Sequence, residues 1–399
     1  MSTSAGPSLP SWFRRPLQDS GQQSRVLPEP AESRVSLFAN AVYYPNYRIY
    51  RQQPPSSLSL GHISHVFYAF ARLATDGTVY VRLLKLAAHL SRSLTRSQLS
   101  DAYADAQIEV DGTNGCLNAL TNLKQQYPLL KVILSIGGGG PGSAPFAEVA
   151  SSGTTRNTFA MSARTLIDEY GLDGIDIDWE HPSDAQQGHD YLQLLAAARA
   201  YLPSPVYILT SALPAGTWAL QHIDLSLASL YLDIINLMAY DFCGPWLDAT
   251  GHQAQLFAPQ RPHNDAAMTS GHSAVTYMRS RGVPASKILL GIPVYGRSFT
   301  GATNTAQRYA GSGGEGGTFE YRDLPRPGAQ EYVDTHVGAA YCVGGDGGFV
   351  TYDNARTVQM KANYVTQNQL GGLFYWTGTA DAQSPRSLVE TGYNALHDL

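Results

Sequence analysis

The stretch that decides the fold reads Asp-Gly-Ile-Asp-Ile-Asp-Trp-Glu, residues 173–180. In a β-strand successive side chains point to opposite faces, so Asp176, Asp178 and Glu180 share one face. Two isoleucines and a tryptophan occupy the other face. Acid-rich runs are more often solvated loops or metal sites, but the His, Asn and Gly-turn pattern of a metal loop is missing here. The alternation therefore predicts a strand with its apolar face packed under helices.

The three acids of this strand have a chemical consequence. Side chains two residues apart on a strand lie roughly 6–7 Å from each other. Like charges this close resist ionising together, so the trio is expected to hold at least one proton near neutral pH. A protonated acid beside ionised acids is what the cleavage of a glycosidic bond requires.

Composition narrows the class of protein. A chain of 399 residues with 43% hydrophobic residues fits one large α/β barrel with embellishments. The net charge of −5 and the pI near 6.1 give no electrostatic footprint for nucleic acid, and no apolar run is long enough to span a membrane. Only 15% of the residues are charged, which suits an aromatic-lined groove for a neutral ligand.

The cysteines and the N-terminal residues indicate in which cellular compartment the protein is expected. Cys116, Cys243 and Cys342 lack metal-site spacing and do not suggest a disulfide framework, so we interpret them as core residues. Residues 1–34 are rich in Ser, Pro and Gln and lack the apolar core of a signal peptide, which predicts a disordered tail. We expect an intracellular, cytoplasmic monomer. A wrongly assigned start of the chain would look the same and leaves secretion open.

Short apolar runs alternate with helical patterns along the chain. Most of these runs lack alternation, as strands covered on both faces do. Helical spacing lies between them, for example from Phe159 to Tyr170 with Gly171 as a stop. The predicted strands are residues 35–44, 63–70, 131–136, 174–179, 206–212, 234–238, 288–294 and 372–376. Eight strands interleaved with helices predict a closed (β/α)8 TIM barrel, in which chemistry sits at the carboxyl ends of the strands.

Two segments interrupt this alternation of strands and helices. Residues 298–348 are Gly-rich with short β-like pieces and predict a small α+β insertion domain between the seventh strand and the seventh helix. The barrel then comprises residues 35–297 and 349–399. Residues 82–98 combine a leucine stripe with basic residues, which is compatible with a basic amphipathic helix or with a poorly ordered insertion.

The spacing Asp173-x-x-Asp176-x-Asp178-x-Glu180 resembles the DxxDxDxE signature of family 18 glycoside hydrolases, the chitinases. Further segments are similar to that family in the correct order, from about residue 35 to the C-terminus: Ser135-Ile136-Gly137-Gly138, Met238-Ala239-Tyr240-Asp241, Tyr295-Gly296-Arg297 and the last strand ending at Trp376. The resemblance is closest to the bacterial-type chitinases with an α+β insertion, as found in fungi. The first strand departs from it, since it reads Tyr43-Tyr44-Pro45-Asn46-Tyr47 where many relatives end in Trp.

The resemblance implies a retaining, substrate-assisted hydrolysis without metal or cofactor. Glu180 would be the general acid and then the base, while the 2-acetamido oxygen of the substrate attacks the anomeric carbon. Asp178 would stabilise the resulting oxazolinium, and Asp176 behind it would help to hold a shared proton. Tyr240 would bind the acetamido carbonyl.

Other residues take supporting or binding roles by the same resemblance. Ser135 and Tyr43 would hydrogen-bond Asp176, and Asp173 would be structural support. Trp376 would form the floor under the distorted sugar, and Trp246 would stack a sugar on the leaving-group side. The predicted substrate contacts are Trp376, Tyr43, Phe70, Gly138, Met238, Asp241, Trp246 and Arg297.

The expected substrate is chitin or chitooligosaccharides, and three alternatives compete with a chitinase. A non-catalytic chitin-binding lectin on the same scaffold would usually lack the last acid of the motif, whereas Glu180 is present. An endo-β-N-acetylglucosaminidase acting on N-glycans would keep the chemistry and change the substrate. A metal-dependent hydrolase is the third alternative.

Overall fold

The computed structural model describes residues 38–81, 101–262 and 264–399. The predicted tail at residues 1–34 and the interruption at residues 82–98 lie outside the described residues. Within the described part of the chain, no helix is both long enough and apolar enough to cross a bilayer.

The described strands and helices alternate along most of the chain. The strands are β1 (Ala39–Pro45), β2 (His65–Leu73), β3 (Val79–Tyr80), β4 (Glu109–Val110), β5 (Thr113–Asn114), β6 (Lys131–Gly137), β7 (Gly174–Asp178), β8 (Ile208–Pro214), β9 (Ile234–Met238), β10 (Ile288–Pro293), β11 (Tyr295–Phe299), β12 (Thr318–Glu320), β13 (Ala329–Asp334), β14 (Ala339–Gly344), β15 (Gly348–Tyr352) and β16 (Gly372–Trp376). The α-helices are α1 (Ala102–Ala106), α2 (Cys116–Leu123), α3 (Phe146–Ser151), α4 (Gly153–Tyr170), α5 (Ala185–Tyr201), α6 (Thr217–Leu220), α7 (Leu225–Tyr231), α8 (Asp265–Met268), α9 (Gly271–Ser280), α10 (Ala355–Gln367) and α11 (Leu388–Leu396).

Eight parallel strands close into a barrel, which confirms the predicted (β/α)8 fold. Their order is β1, β2, β6, β7, β8, β9, β10 and β16, and β16 pairs again with β1. The eight predicted strands all occur, with ends shifted by a few residues. The prediction for the second strand stopped at residue 70, whereas β2 continues to Leu73 because Arg72 and Leu73 pair with the antiparallel strand β3.

The barrel has two apolar layers that fix the orientation of residues 173–180. Ile175, Ile177 and Trp179 belong to the large cluster between the strands and the helices, as the alternation predicted. A smaller cluster fills the barrel interior and contains Tyr43 and Phe374. The side chains of alternate residues on β7 therefore point into the barrel, and this places two of the carboxyl groups there.

The predicted insertion is a five-stranded antiparallel sheet between β10 and α10. Its strand order is β12, β11, β15, β14 and β13, and its helical part is a short 3-10 helix at Tyr321–Asp323. The sheet begins at Tyr295 and ends at Tyr352, so it extends beyond residues 298–348 at both ends. The division of the chain into domains stays a prediction.

A buried ion pair fixes the return of the chain from the insertion to the barrel. Lys361 on α10 donates to Asp353 Oδ2 at 2.5 Å and to the carbonyl oxygen of Ala254 at 2.6 Å. Both charged side chains are buried. A buried ion pair that loses one partner leaves an uncompensated charge, which costs more than the pair contributes.

We therefore expect Lys361→Met to lower the free energy of unfolding by about 3–5 kcal/mol. Denaturant unfolding at neutral pH measures this loss. The double variant with Asp353→Leu is the control, and it should recover most of the stability because neither charge is then buried. A loss below about 1 kcal/mol for the single variant would contradict the interpretation that Lys361 and Asp353 form a buried ion pair that fixes this part of the chain.

Candidate active site

A groove of about 870 Å³ opens at the carboxyl ends of the barrel strands. Most of the predicted site residues line it, although they come from distant parts of the sequence. The predicted residues in its lining are Tyr43, Phe70, Asp178, Glu180, Met238, Tyr240, Asp241, Trp246 and Trp376. The barrel thus brings the predicted acids and aromatic residues into one cavity.

Asp176 lies behind this groove, completely buried, and accepts three hydrogen bonds from hydroxyl groups. Ser135 and Tyr43 donate to Oδ2 at 2.7 and 2.8 Å, as the resemblance implied. Thr210 donates to Oδ1 at 2.6 Å. Burial raises the pKa of Asp176, and the three donors oppose that rise by stabilising the carboxylate. The donors therefore favour the charged form of Asp176.

Asp178, two residues further along β7, has the opposite environment. It is also buried, and its Oδ1 atom has no hydrogen-bond partner. Burial, reinforced by the charges of Glu180 and Asp176, raises the pKa of Asp178 well above its ordinary value. The contrast between the two carboxyl groups favours a proton on Asp178 and a charge on Asp176.

Glu180 follows the strand and reaches the groove, where 29% of its side chain is exposed. Its backbone N–H donates to Ser143 Oγ at 2.7 Å, and this fixes the chain just after β7. Gly139 lies beside the carboxyl group, where a Cβ atom would be in ordinary van der Waals contact at 3.6 Å from both of its oxygens. Burial and the charge of Asp241 raise the pKa of Glu180, which favours a carboxyl group that can donate a proton.

Asp241 is held by two donors from the first strand of the insertion. Tyr295 Oη and Arg297 Nε donate to Asp241 Oδ1 at 2.6 and 2.7 Å. The guanidinium of Arg297 also lies 4.7 Å from the ring centre of Trp246. Arg297 thus pairs with Asp241, and it lines a second, neighbouring cavity.

Aromatic rings form the floor of the groove around Trp376. The Trp376 ring lies 5.3 Å from that of Tyr43 and 5.7 Å from that of Phe70, centre to centre. Gly138 does not line the groove but lies under Phe70, because a Cβ atom on Gly138 would come within 2.7 Å of the Phe70 ring. Gly138 therefore makes a packing contact with Phe70, and its predicted contact with the substrate stays a prediction.

Comparison with known proteins assigns the chain that forms this groove to a family. The model of the family described as glycosyl hydrolases family 18 matches residues 39–381. The chain belongs to this family. Chitinase 1 of Aphanocladium album is 36% identical over 381 residues, which cover 92% of this chain and 87% of that protein. Endochitinase 1 of Metarhizium robertsii is 34% identical over 90% of this chain and 85% of its own length.

Solved structures agree with this membership. The family 18 chitinase from Cycas revoluta, solved in complex with (GlcNAc)3, has a TM-score of 0.73 to this chain at 25% identity. The match covers 89% of this chain and 98% of that chain. A glycoside hydrolase that binds carbohydrate is therefore the function class of the chain, as predicted.

The first residue of the family 18 signature is Asp173. Asp173 lies at the amino end of β7, where its carboxylate accepts from the backbone N–H of Val132 at 2.8 Å and from Lys124 Nζ at 2.8 Å. It lies outside the groove lining. These contacts join β6, β7 and the end of α2, which is compatible with the predicted structural support.

Sequence reasoning missed several residues of this family 18 site. Thr210 binds Asp176, and Asn236 donates from Nδ2 to Tyr43 Oη at 3.0 Å. Both are polar residues inside otherwise apolar strands, and that signal could have identified them. His181 and Trp218 line the groove as well, but they lie after strands, where no periodicity marks them.

Asp178 gives a stability test of the site. A carboxyl group whose pKa is raised by folding destabilises the folded state once the pH exceeds its unfolded pKa of about 3.9. We expect Asp178→Asn to raise the free energy of unfolding by about 1–3 kcal/mol at pH 7, because the amide keeps the shape and does not have to take up a proton on folding.

Denaturant unfolding at pH 7 and pH 4 measures this effect, with the exposed Asp248→Asn as the control variant. The gain should shrink towards pH 4, where unfolded Asp residues begin to bind protons. An equal gain at both pH values, or no gain at pH 7, would show that the carboxyl group is not destabilised in the fold.

Proposed function

We propose that the protein is a chitinase that hydrolyses β-1,4-linked N-acetylglucosamine polymers with retention of configuration. The observation that carries the proposal is the pairing of two buried carboxyl groups, one supplied with three hydroxyl donors and one with an orphaned oxygen, next to the groove-lining acid Glu180. The family 18 relatives named chitinase and endochitinase support the choice of chitin over other carbohydrates.

The first step uses one proton and no protein nucleophile. The sugar rests on Trp376, and its acetamido oxygen attacks the anomeric carbon while the bond to the leaving oxygen breaks. Glu180 transfers its proton to that oxygen and becomes a carboxylate. The sugar is then an oxazolinium, and the orphaned oxygen of Asp178 accepts a hydrogen bond from its acetamido N–H, while the negative charges of Asp176 and of the newly ionised Glu180 stabilise its positive charge.

The second step returns the proton. Water attacks the anomeric carbon, and Glu180 takes the proton of the water while the amide is restored. Attack by the substrate and then by water inverts the anomeric carbon twice, so the configuration is retained. Burial and nearby negative charges raise the pKa of Tyr240 well above its ordinary value, so its hydroxyl stays a donor that can hold the acetamido carbonyl throughout.

Each alternative function predicts an observation that distinguishes it from a chitinase. A lectin would have no use for a carboxyl group with a raised pKa in the groove, which favours an enzyme. An endo-β-N-acetylglucosaminidase would need room for a branched mannose core and would release N-glycans from glycoproteins. A metal-dependent hydrolase would lose activity in a chelator. The intracellular location and the monomeric state stay predictions.

Glu180→Gln tests the acid directly. We expect it to lower kcat on chitin oligomers by at least about a thousandfold, because the amide cannot give a proton. Binding of the hexamer should persist, since the shape of the side chain is kept. Product analysis by chromatography and binding calorimetry measure the two effects. Turnover close to that of the wild type would remove Glu180 from its role.

A thiazoline mimic of the oxazolinium derived from chitobiose tests substrate assistance. We expect it to bind at least about a hundredfold more tightly than chitobiose itself, because it resembles the transition state. Inhibition constants for the two compounds measure the difference. Equal affinities would indicate that the acetamido group is not the nucleophile.

A further inference from the structure

A second cavity of about 630 Å³ lies beside the groove and shares Trp376 and Asp241 with it. Asp178 and Glu180 line only the groove, so no step of the proposed reaction takes place in the second cavity. Four arginines and four acidic residues contribute to the lining of this cavity. Because these charges balance, the cavity does not favour a charged ligand and suits a neutral sugar chain.

The second cavity lies on the glycon side of the bond that is cut. In the proposed reaction the anomeric carbon of the sugar on Trp376 faces Glu180. The anomeric carbon and the 4-oxygen are at opposite ends of a pyranose ring, so the 4-oxygen of this sugar points away from Glu180. That side holds the second cavity, which contains Trp376 but not Glu180. Sugars towards the non-reducing end of the chain therefore lie in the second cavity.

Two segments form the side walls of the second cavity. A 3-10 helix at Asn46–Arg51 follows β1, and the insertion follows β10. Residues of both segments line the cavity. In the barrel β16 lies between β1 and β10 and pairs with both. The two segments therefore face each other across the end of β16, where Trp376 lies.

Ion pairs join the two side walls. Arg48 forms an ion pair with Glu320, and Arg51 lies 3.5 Å from the same carboxyl oxygen and 2.6 Å from Glu315 Oε2. Arg322, on the insertion itself, holds the other oxygen of Glu320 at 2.9 Å. All five side chains line the second cavity. We call the four residues Arg48, Arg51, Glu315 and Glu320 the ion-pair clasp.

The ion-pair clasp extends from the interior to the surface. The exposed fraction of its side chains rises from 11% at Arg48 and 22% at Glu320 to 48% at Arg51 and 79% at Glu315. Contacts confined to the floor of the cavity would be buried throughout, whereas this gradient places side chains at every depth. The clasp therefore forms an end wall. Exposed ion pairs contribute little to stability, so the effect of the outer pair lies in its position.

We propose that the ion-pair clasp ends the glycon side of the groove and thereby determines which bond of a chitin chain is cut. A cavity of this volume holds a ligand of ordinary drug size, so the cut bond should lie about two or three sugar units from the non-reducing end. The inference rests on the proposed function and deepens it, because it assigns the position of cleavage along the chain.

Hydrolysis of the N-acetylglucosamine hexamer in water labelled with heavy oxygen tests the position of cleavage. Water adds its oxygen to the new reducing end, so the labelled products are the non-reducing parts of the chain. Mass spectrometry of the first products gives their lengths. For the wild type we expect labelled dimer and trimer to exceed labelled tetramer and pentamer at least about fivefold, because the end wall excludes longer glycons.

Arg51→Glu tests the clasp by reversing one charge. It places a carboxylate beside those of Glu315 and Glu320, and the repulsion should separate the two side walls. We expect the ratio of short to long labelled products to fall at least about threefold. Adding Glu315→Arg gives the outer pair opposite charges again and should restore most of the wild-type ratio, because the two positions act through each other.

Arg164→Glu is the matched control. Arg164 forms a partly exposed ion pair with Asp168 on α4, at 2.8 Å, and neither residue lines the groove or the second cavity. Reversal of this charge should leave the ratio of short to long labelled products unchanged.

The outcomes separate this proposal from the proposed function. Wild-type protein that releases long and short labelled products equally, or Arg51→Glu with the wild-type ratio, overturns the clasp and leaves the chitinase intact. A double variant with no better ratio than Arg51→Glu also overturns the clasp, because the effect is then independent of the ion pair. Wild-type protein that forms no labelled fragments from the hexamer overturns the proposed function, and the inference with it.

Discussion

The hydrogen bonds that three hydroxyl groups donate to Asp176 are the interaction on which the rest of the site depends. They stabilise one buried charge at the centre of the barrel. Burial, reinforced by the charges of Glu180 and Asp176, raises the pKa of the neighbouring Asp178 and favours its protonated form, and its orphaned oxygen remains available. Without the donors, burial alone would favour a proton on Asp176 as well, and the two carboxyl groups would no longer differ.

The register of the barrel makes this arrangement possible. Ser135 on β6, Asp176 on β7 and Thr210 on β8 are direct partners in adjacent parallel strands, so their side chains form one row that points inward. Tyr43 reaches the same carboxylate from β1 and is itself held by Asn236. A slip of one residue between any two of these strands would turn a donor towards the outer helices. The closed barrel thus fixes both the fold and the charge distribution.

The acids, the strand that carries them and the barrel could be predicted from the sequence because each follows from local periodicity. The alternation at residues 173–180 determines which side of β7 faces inward, and the structure places Ile175 and Ile177 in the outer layer accordingly. Strand ends were less predictable, since β2 is lengthened by a partner strand and not by its own residues. Thr210 could be recognised from the sequence as a polar residue in an apolar strand. Trp218 could not be recognised in this way, because its position depends on Gly216 and His181, which only the fold brings close to it.

The insertion contributes to the chemistry through Asp241 and not only through the shape of the groove. Asp241 has φ +60°, a left-handed backbone conformation that is costly for most residues and that persists only where surrounding contacts fix it. Tyr295 and Arg297, both on the first strand of the insertion, supply such contacts and hold the Asp241 side chain in place. The charge of Asp241 in turn favours the protonated form of Glu180. The sheet that interrupts the barrel therefore positions the carboxylate whose charge acts on the acid, which explains why a segment outside the barrel carries residues that bear on the reaction.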